Sequence, residues 1–169
     1  MSFRKFGRTA VVAGGVLIGT LLIAGNASVL AQDSRPVLNS ESAKKIVTGC
    51  EAYALENNLK VNIAVLDQGT NLMAFLRMEG APVGSIDIAQ WKANSSAAFP
   101  RSTKERFEAA KNFPAIGHAP NIAVFEGGEA IFTGSGVHLG GVGVSGAASS
   151  DDAACARAGI EAAGLEHKR

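Results

Sequence analysis

Three histidines are the side chains of this sequence best suited to bind a transition metal through nitrogen. His118 lies in a segment rich in proline and glycine, residues 112–120, where a ring nitrogen can face a cleft. We therefore consider His118 a candidate metal ligand, with a solvated loop position as the alternative. His138 lies between two aliphatic residues in a β-prone stretch, which is typical of a half-buried sheet residue. His167 lies near the end of the sequence, where we expect disorder.

Two cations have positions that suit the binding of an acid group. Arg77 comes at the end of a predicted strand and can hold a carboxylate through paired hydrogen bonds. Its alternative role, which we favour, is an ion pair with Glu79 or Asp67 at a sheet edge. Lys92 follows Trp91 on a predicted helix, where it either contacts an acidic ligand or lies on the solvated side.

Motifs for other chemistry are missing from the sequence. It contains no G-x-S-x-G and no H-E-x-x-H motif, and no pair of carboxylates with a spacing typical of acid–base catalysis. Residues 127–146 hold eight glycines but lack the patterns of nucleotide-binding loops. Glycine within a strand allows close approach of other groups, so we expect this stretch to serve close packing or a subunit contact.

The first 31 residues have the three-part pattern of a secretory signal peptide. Residues 2–8 carry three basic side chains, residues 9–25 form an uncharged, mostly apolar run, and Ala31 provides a small residue for cleavage. A retained membrane anchor is the alternative, since about 17 residues is the low end for crossing a bilayer. We predict cleavage, a periplasmic or secreted chain that begins near Gln32, and no membrane attachment afterwards. Residues 32–38 are expected to be a flexible lead.

Composition narrows the class of protein. The chain has 169 residues, 47% of them hydrophobic and 18% charged, which suits one compact domain and argues against global disorder. Without the first 31 residues it carries 13 basic and 15 acidic side chains, a net charge of −2. Proteins that bind nucleic acid through its phosphates need a strongly basic surface, so this class is disfavoured.

The sequence contains two cysteines, Cys50 and Cys155, both on predicted helices. An even number of thiols in an oxidising compartment permits a disulfide. Two small residues packed separately in the core are the alternative, which we favour. No C-x-x-C spacing is present, so we expect no structural zinc site.

Hydrophobic periodicity predicts the order helix, hairpin, two helices, three strands and helix. The helices are expected to be capped near Asn39, Ser85, Ser102 and residues 149–152. The predicted strands cover residues 61–67, 72–78, 121–125, 129–133 and 137–144. Strands in hairpin order, with the helices kept apart from them, favour an α+β fold with an antiparallel sheet covered on one face.

Several short motifs occur in a fixed order along residues 40–163, and it is their order that indicates a family. They are Val65-Leu66-Asp67-x-Gly69-x-x-Leu72 with Arg77-Met78-Glu79-Gly80-Ala81, Lys92-Ala93, Phe99 with Arg101-Ser102-Thr103, Gly127-Gly128, residues 141–147 and residues 151–159. This ordered set resembles the GlcG/HbpS-like haem-degrading family, which is related to the PduO carboxy-terminal domain. The chain departs from the family pattern at Ala130, where relatives often have proline.

The resemblance implies a profilin-like α+β domain with helices packed on its antiparallel sheet, which assembles into homo-oligomers, octamers in some relatives. It also implies haem as a ligand, which needs an axial donor, an apolar slot and cations for its propionates. It places Thr103 near an iron-binding threonine of an exported relative, whereas helix capping by Ser102 or Thr103 is the alternative. We therefore expect haem contacts at Thr103, His118, Arg77 and Lys92, with His118 and Thr103 closest to the iron.

Three hypotheses follow. The first is an exported, oligomeric haem- or tetrapyrrole-binding protein that scavenges, buffers or senses haem. The second is an enzyme that acts on a small carboxylic acid held by Arg77 and Lys92 in a pocket between chains, without haem. The third is a non-catalytic accessory subunit whose glycine-rich strand, with Gly140, Gly141 and Gly143, forms the assembly surface.

Overall fold

The computed structural model describes residues 34–169, in which four α-helices and one short 3-10 helix accompany a four-stranded sheet. The elements are α1 (Ser40–Glu56), β1 (Asn62–Asp67), β2 (Leu72–Arg77), α2 (Ser85–Ala98), α3 (Thr103–Asn112), the 3-10 helix (Pro114–His118), β3 (Gly128–Phe132), β4 (His138–Ser145) and α4 (Ser149–Ala162). The predicted signal peptide lies outside the described residues. None of the helices within residues 34–169 has the length and apolar character needed to cross a membrane.

The sheet has the strand order β2-β1-β4-β3, and every neighbouring pair of strands is antiparallel. This confirms the α+β class with an antiparallel sheet. In the central pair of strands, Ile63 lies opposite Val144 and Ala64 lies opposite Gly143. The strands therefore present branched aliphatic side chains on one face and small residues on the other.

Helices cover both faces of this sheet. Helices α1 and α4 pack on the aliphatic face, where Val65 and Val142 belong to the main core. Helix α2 lies on the small-residue face, where Ala93 packs with Ala64 and Leu66. The prediction of one covered face is therefore wrong. The reason lies in strand β1, whose first five residues are all buried. A strand without alternating polar residues must be covered on both faces of the sheet.

The glycines of β4 allow α2 to approach the sheet closely. A Cβ atom on Gly141 would lie 2.5 Å from the carbonyl oxygen of Ala93, and one on Gly143 would overlap the carbonyl oxygen of Ala89. The expectation of close packing is confirmed. The hypothesis that Gly140, Gly141 and Gly143 form an assembly surface is wrong, because elements of the same chain pack against them: α2 against Gly141 and Gly143, and β1 against Gly140.

We expect Gly143→Ala to lower the free energy of unfolding by about 1–3 kcal/mol, because the added methyl group must push α2 away from the sheet. Gly134→Ala is the matched control, since a Cβ at Gly134 meets no atom within 4 Å. Urea denaturation of both variants measures the difference. Equal stability of the two variants would show that α2 does not depend on this close approach.

Residues 121–125, predicted as a strand, are not one. Asn121 has a positive φ of 58°, which interrupts an extended chain. The Ala123 N–H donates to the Ser95 hydroxyl at 2.7 Å, and the Asn94 side chain donates to the Asn121 carbonyl at 3.1 Å. This segment therefore forms its hydrogen bonds with α2 instead of with a neighbouring strand.

Two of the predicted helix caps are present. The Asn39 side chain accepts from the Ser42 N–H at 2.8 Å, and Ser102 forms a reciprocal capping box with Glu105. Ser85 does not cap α2, because its hydroxyl donates to the Pro82 carbonyl. Helix α4 begins at Ser149, four residues before the predicted Ala153, and has no side-chain cap.

The two cysteines form a disulfide that joins α1 to α4. The Cα atoms of Cys50 and Cys155 are 4.7 Å apart, and both side chains are buried in the main core. Periodicity places both residues on helices but gives no distance between them. Only the packing of α1 against α4 decides between a disulfide and two separate thiols.

Candidate functional site

A cleft of about 960 Å³ opens between the start of α3, strand β3, the second half of α4 and the last residues of the chain. We call it the carboxy-terminal cleft. Its basic lining residues are Arg101, Lys104, Arg157, His167, Lys168 and Arg169. Its acidic lining residues are Glu105, Glu129 and Glu161. The excess of cations suits an anionic ligand.

One wall of the cleft is the chain end, which pairs with β3. The Phe132 N–H donates to the Glu166 carbonyl at 2.8 Å, and the Glu166 N–H donates back at 2.9 Å. This bridge places His167 in the cleft with its side chain mostly buried, its Nε2 atom 3.4 Å from Oε1 of Glu161. The prediction that His167 is disordered is therefore wrong, because backbone hydrogen bonds to a sheet edge hold the segment.

The electrostatics of His167 favour a neutral ring. Burial, together with the nearby Lys168 charge, lowers the pKa of His167, and Glu161 only partly opposes this effect. A neutral imidazole keeps a lone pair on one nitrogen. His167 therefore has the protonation state that a metal ligand requires.

A buried carboxylate lies at the base of the cleft. Oε1 of Glu129 on β3 accepts a hydrogen bond at 2.8 Å from Arg157 on α4. Burial raises the pKa of Glu129 to about 7, and the charge and hydrogen bond of Arg157 do not offset that effect. The negative charges of Glu105 and Glu126 contribute to this rise. Glu129 therefore exchanges its proton near neutral pH.

Thr103 does not reach the surface. Its side chain is 0% exposed, and its hydroxyl accepts from the Gly128 N–H at 2.9 Å, with the Gly128 carbonyl at 3.4 Å. These contacts fasten the start of α3 to β3. The alternative interpretation, helix capping in this segment, is confirmed for Ser102. The Thr103 hydroxyl is therefore occupied by backbone partners, and Thr103 is not among the residues that line the cleft.

Lys92 lies in the protein interior and is 1% exposed. Its Nζ atom donates to Oδ2 of Asp152 and to the Val144 carbonyl, each at 2.8 Å. Burial lowers the pKa of Lys92, although the Asp152 carboxylate opposes this effect. The solvated position considered for Lys92 is thus wrong, and its ammonium group faces a structural partner.

Arg77 is exposed on β2, at the edge of the sheet. The described residues include no ion pair between Arg77 and either Glu79 or Asp67, so the favoured structural role is wrong. The Asp67 carboxylate instead accepts from the Asn71 N–H at 2.9 Å within the hairpin turn. Lys92 is buried beside Asp152 and Arg77 is exposed at a sheet edge, so the two cations do not line one pocket within the described part of a single chain.

The other two histidines differ in their availability. His118 ends the 3-10 helix and is exposed. His138 is buried as expected, with Nε2 2.9 Å from the Gly140 carbonyl and Nδ1 3.5 Å from the Gln68 side chain. His118 and His167 are therefore the histidines with a ring nitrogen free to meet a ligand.

None of the residues predicted as haem contacts (Thr103, His118, Arg77 and Lys92) lines the cleft, and Glu129, Arg157 and His167 are among the lining residues that sequence reasoning missed. Glu129 and Arg157 are 28 residues apart, and no spacing rule connects them. Of these three missed residues, only His167 is of a type that indicates metal binding. Its position near the chain end, however, led to the expectation that it is disordered.

Comparisons with known proteins agree with this fold. The family model described as "Haem degrading protein HbpS-like" matches residues 38–161. Protein GlcG of Escherichia coli strain K12 is 35% identical over 114 residues, which cover 66% of this chain and 84% of that protein. The crystal structure of HbpS matches with a TM-score of 0.73 at 28% identity, covering 78% of this chain and 93% of HbpS.

The crystal structure of a complex of PduOC with haem matches with a TM-score of 0.73. It covers 79% of this chain and 100% of PduOC at 20% identity, which supports the fold alone. The family model and the GlcG alignment together cover most of the described domain. On this evidence the chain belongs to the HbpS-like family.

Proposed function

We propose that this chain binds haem in the carboxy-terminal cleft, with His167 as the axial donor. Membership of a family described as haem-degrading supports the ligand, and the position of His167 among cations is the observation that carries the site. Haem requires an axial donor, an apolar contact and cations for its propionates. His167 and the basic residues of the cleft fit the first and third needs, and Pro100 and Phe132 form the apolar part of its lining.

The residues of the chain have separate tasks in this proposal. Glu161 holds the His167 ring through one nitrogen and leaves the other nitrogen for a ligand. Arg101, Lys168 and Arg169 are exposed residues of the cleft lining and would hold the propionates of a bound haem. Bound haem supplies an iron centre that can change its oxidation state.

A haem titration followed by absorbance tests the site. The mature protein should give a saturable Soret shift at micromolar haem, and we expect His167→Ala to weaken binding at least about tenfold, since the iron loses its axial donor. His118→Ala is the matched control and should bind as the wild type does, because His118 lies outside the cleft. Loss of the shift in His118→Ala alone would place the site elsewhere. No shift in the wild type would remove haem.

We further propose that the protein is exported and scavenges, buffers or senses haem outside the cytoplasm. The signal-peptide pattern supports export. The disulfide between Cys50 and Cys155 supports it independently, because such bonds persist in oxidising compartments.

We also propose a homo-oligomer, the octamer that the family resemblance implies. Large apolar side chains that remain exposed on the described domain support assembly; among them are Leu72, Val83, Trp91, Phe107 and Phe113. Measuring the mass in solution during the haem titration tests this part of the proposal.

A small carboxylic acid is the second candidate ligand. The cationic lining of the cleft favours it, now with Arg101 and Arg157 in place of Arg77 and Lys92. Under this alternative the protein is an enzyme or an accessory subunit that acts without haem.

A further inference from the structure

The two side chains of the ion pair between Glu129 and Arg157 differ in their exposure to solvent. The Glu129 side chain is 6% exposed, whereas the Arg157 side chain is 36% exposed. One nitrogen of the guanidinium, Nη1, donates to Glu129 at 2.8 Å. The partly exposed Arg157 side chain lines the carboxy-terminal cleft. A ligand entering the cleft can therefore reach Arg157 while Glu129 stays buried.

We propose that Arg157 is a proton-gated receptor for a ligand carboxylate. The ligand carboxylate replaces Glu129 as the partner of the guanidinium, and Glu129 takes up one proton from solvent as the ligand binds. The charge at the base of the cleft is then balanced, because one carboxylate arrives and one is neutralised. For haem, the inference rests on the proposed function; a free carboxylic acid is the other source of the same group.

The surroundings of Glu129 favour this exchange. Arg157 faces it from α4, Glu105 from α3 and Glu126 from the loop before β3, so two of these three neighbours repel a negative charge on Glu129. The wider cleft adds Arg101, Lys104, Glu161, His167, Lys168 and Arg169. Without its proton Glu129 competes with a ligand for Arg157, and with its proton it no longer does.

The direction of the pH dependence follows from the raised pKa of Glu129. Burial moves this pKa to about 7, so Glu129 is mostly neutral below that pH and mostly charged above it. Carboxylate binding should therefore strengthen as the pH falls from 8 to 6, by about tenfold for uptake of one proton at a site with this pKa. His167 also titrates and adds positive charge on acidification, so the test must separate the two groups.

The variant Glu129→Gln separates them, because it keeps His167 and removes the titrating carboxyl. Its affinity for haem should change little between pH 6 and pH 8 and should equal the wild-type affinity at pH 6. Glu126→Gln is the matched control: it removes the same charge from a neighbour that pairs with Lys104 at 3.1 Å, and it should keep the tenfold change. If Glu129→Gln keeps the tenfold change, the inference is overturned.

Calorimetry of the wild-type protein provides a measurement that does not depend on the variant. Titrations in two buffers of different ionisation enthalpy at pH 8 should show uptake of nearly one proton for each ligand bound. Uptake of less than half a proton would overturn the inference.

Three probes identify the source of the carboxylate. Haem and iron protoporphyrin dimethyl ester share the ring and the iron, but the ester lacks free carboxylates, so only haem should show the pH change. Citrate tests a free acid and is used in the calorimetry at pH 8, where all its carboxyl groups are ionised. A Soret shift without pH dependence refutes the receptor and leaves haem binding intact. Proton-coupled citrate binding without a Soret shift refutes haem and supports the receptor. Binding of neither haem nor citrate refutes the receptor.

Discussion

Replacing Lys92 with methionine should lower the free energy of unfolding by about 3–5 kcal/mol, the cost of leaving a buried charge without its partner. Asp152 is 2% exposed, and Lys92 supplies its one cationic partner within the described residues. The pKa of Asp152 is already raised, chiefly by burial, and Lys92 opposes that effect. Without the ammonium group, the carboxyl must either stay charged in the core or bind a proton.

The double variant Lys92→Met/Asp152→Asn should regain part of this loss. The asparagine carries no charge, and its side-chain oxygen can still accept from the Ala147 N–H, as Oδ1 of Asp152 does at 3.0 Å. Lys45→Met is the matched control, since solvent screens the exposed pair of Lys45 with Glu41 and its loss should leave the stability almost unchanged. Denaturant unfolding compares the three variants. If the double variant were less stable than Lys92→Met, the uncompensated charge of Asp152 could not be the cause of the loss in stability.

Removing the disulfide should have a similarly large effect. We expect the Cys50→Ala/Cys155→Ala variant to lose about 4 kcal/mol of unfolding free energy, because the bond closes a long loop in the unfolded chain. The two cysteines are 105 residues apart in sequence. Urea denaturation with and without reductant is the measurement. The wild type in reductant should approach the stability of the variant, and the variant should not respond to reductant. A wild type that is insensitive to reductant would refute the prediction.

Both predictions concern α4, which also positions the cleft. Asp152 ties the first turn of α4 to α2, and Cys155 ties the helix to α1. Arg157 follows Cys155 by two residues and points to β3 through Glu129. Destabilising either attachment should therefore weaken ligand binding as well as folding, although neither Lys92 nor Cys50 lines the cleft.

The local features of the chain were determined by its sequence. The cap at Asn39 and the capping box of Ser102 and Glu105 join residues three positions apart, so a short pattern contains all their atoms. The hairpin of β1 and β2 and the order of the family motifs are local in the same way. These local features were enough to predict the α+β class, the antiparallel sheet and the family.

The candidate site was decided by tertiary structure. In the sequence, Lys92 looks like an ordinary lysine on the surface of a helix. In the structure it is buried with its partner Asp152, which is 60 residues away along the chain. The pairing of Glu129 with Arg157 spans 28 residues, and the bridge from Phe132 to Glu166 brings the chain end beside them. Desolvation sets the charge state of each of these groups, and desolvation depends on which helices cover the sheet. Periodicity along the chain contains no such information, because burial is a property of elements that meet only after folding.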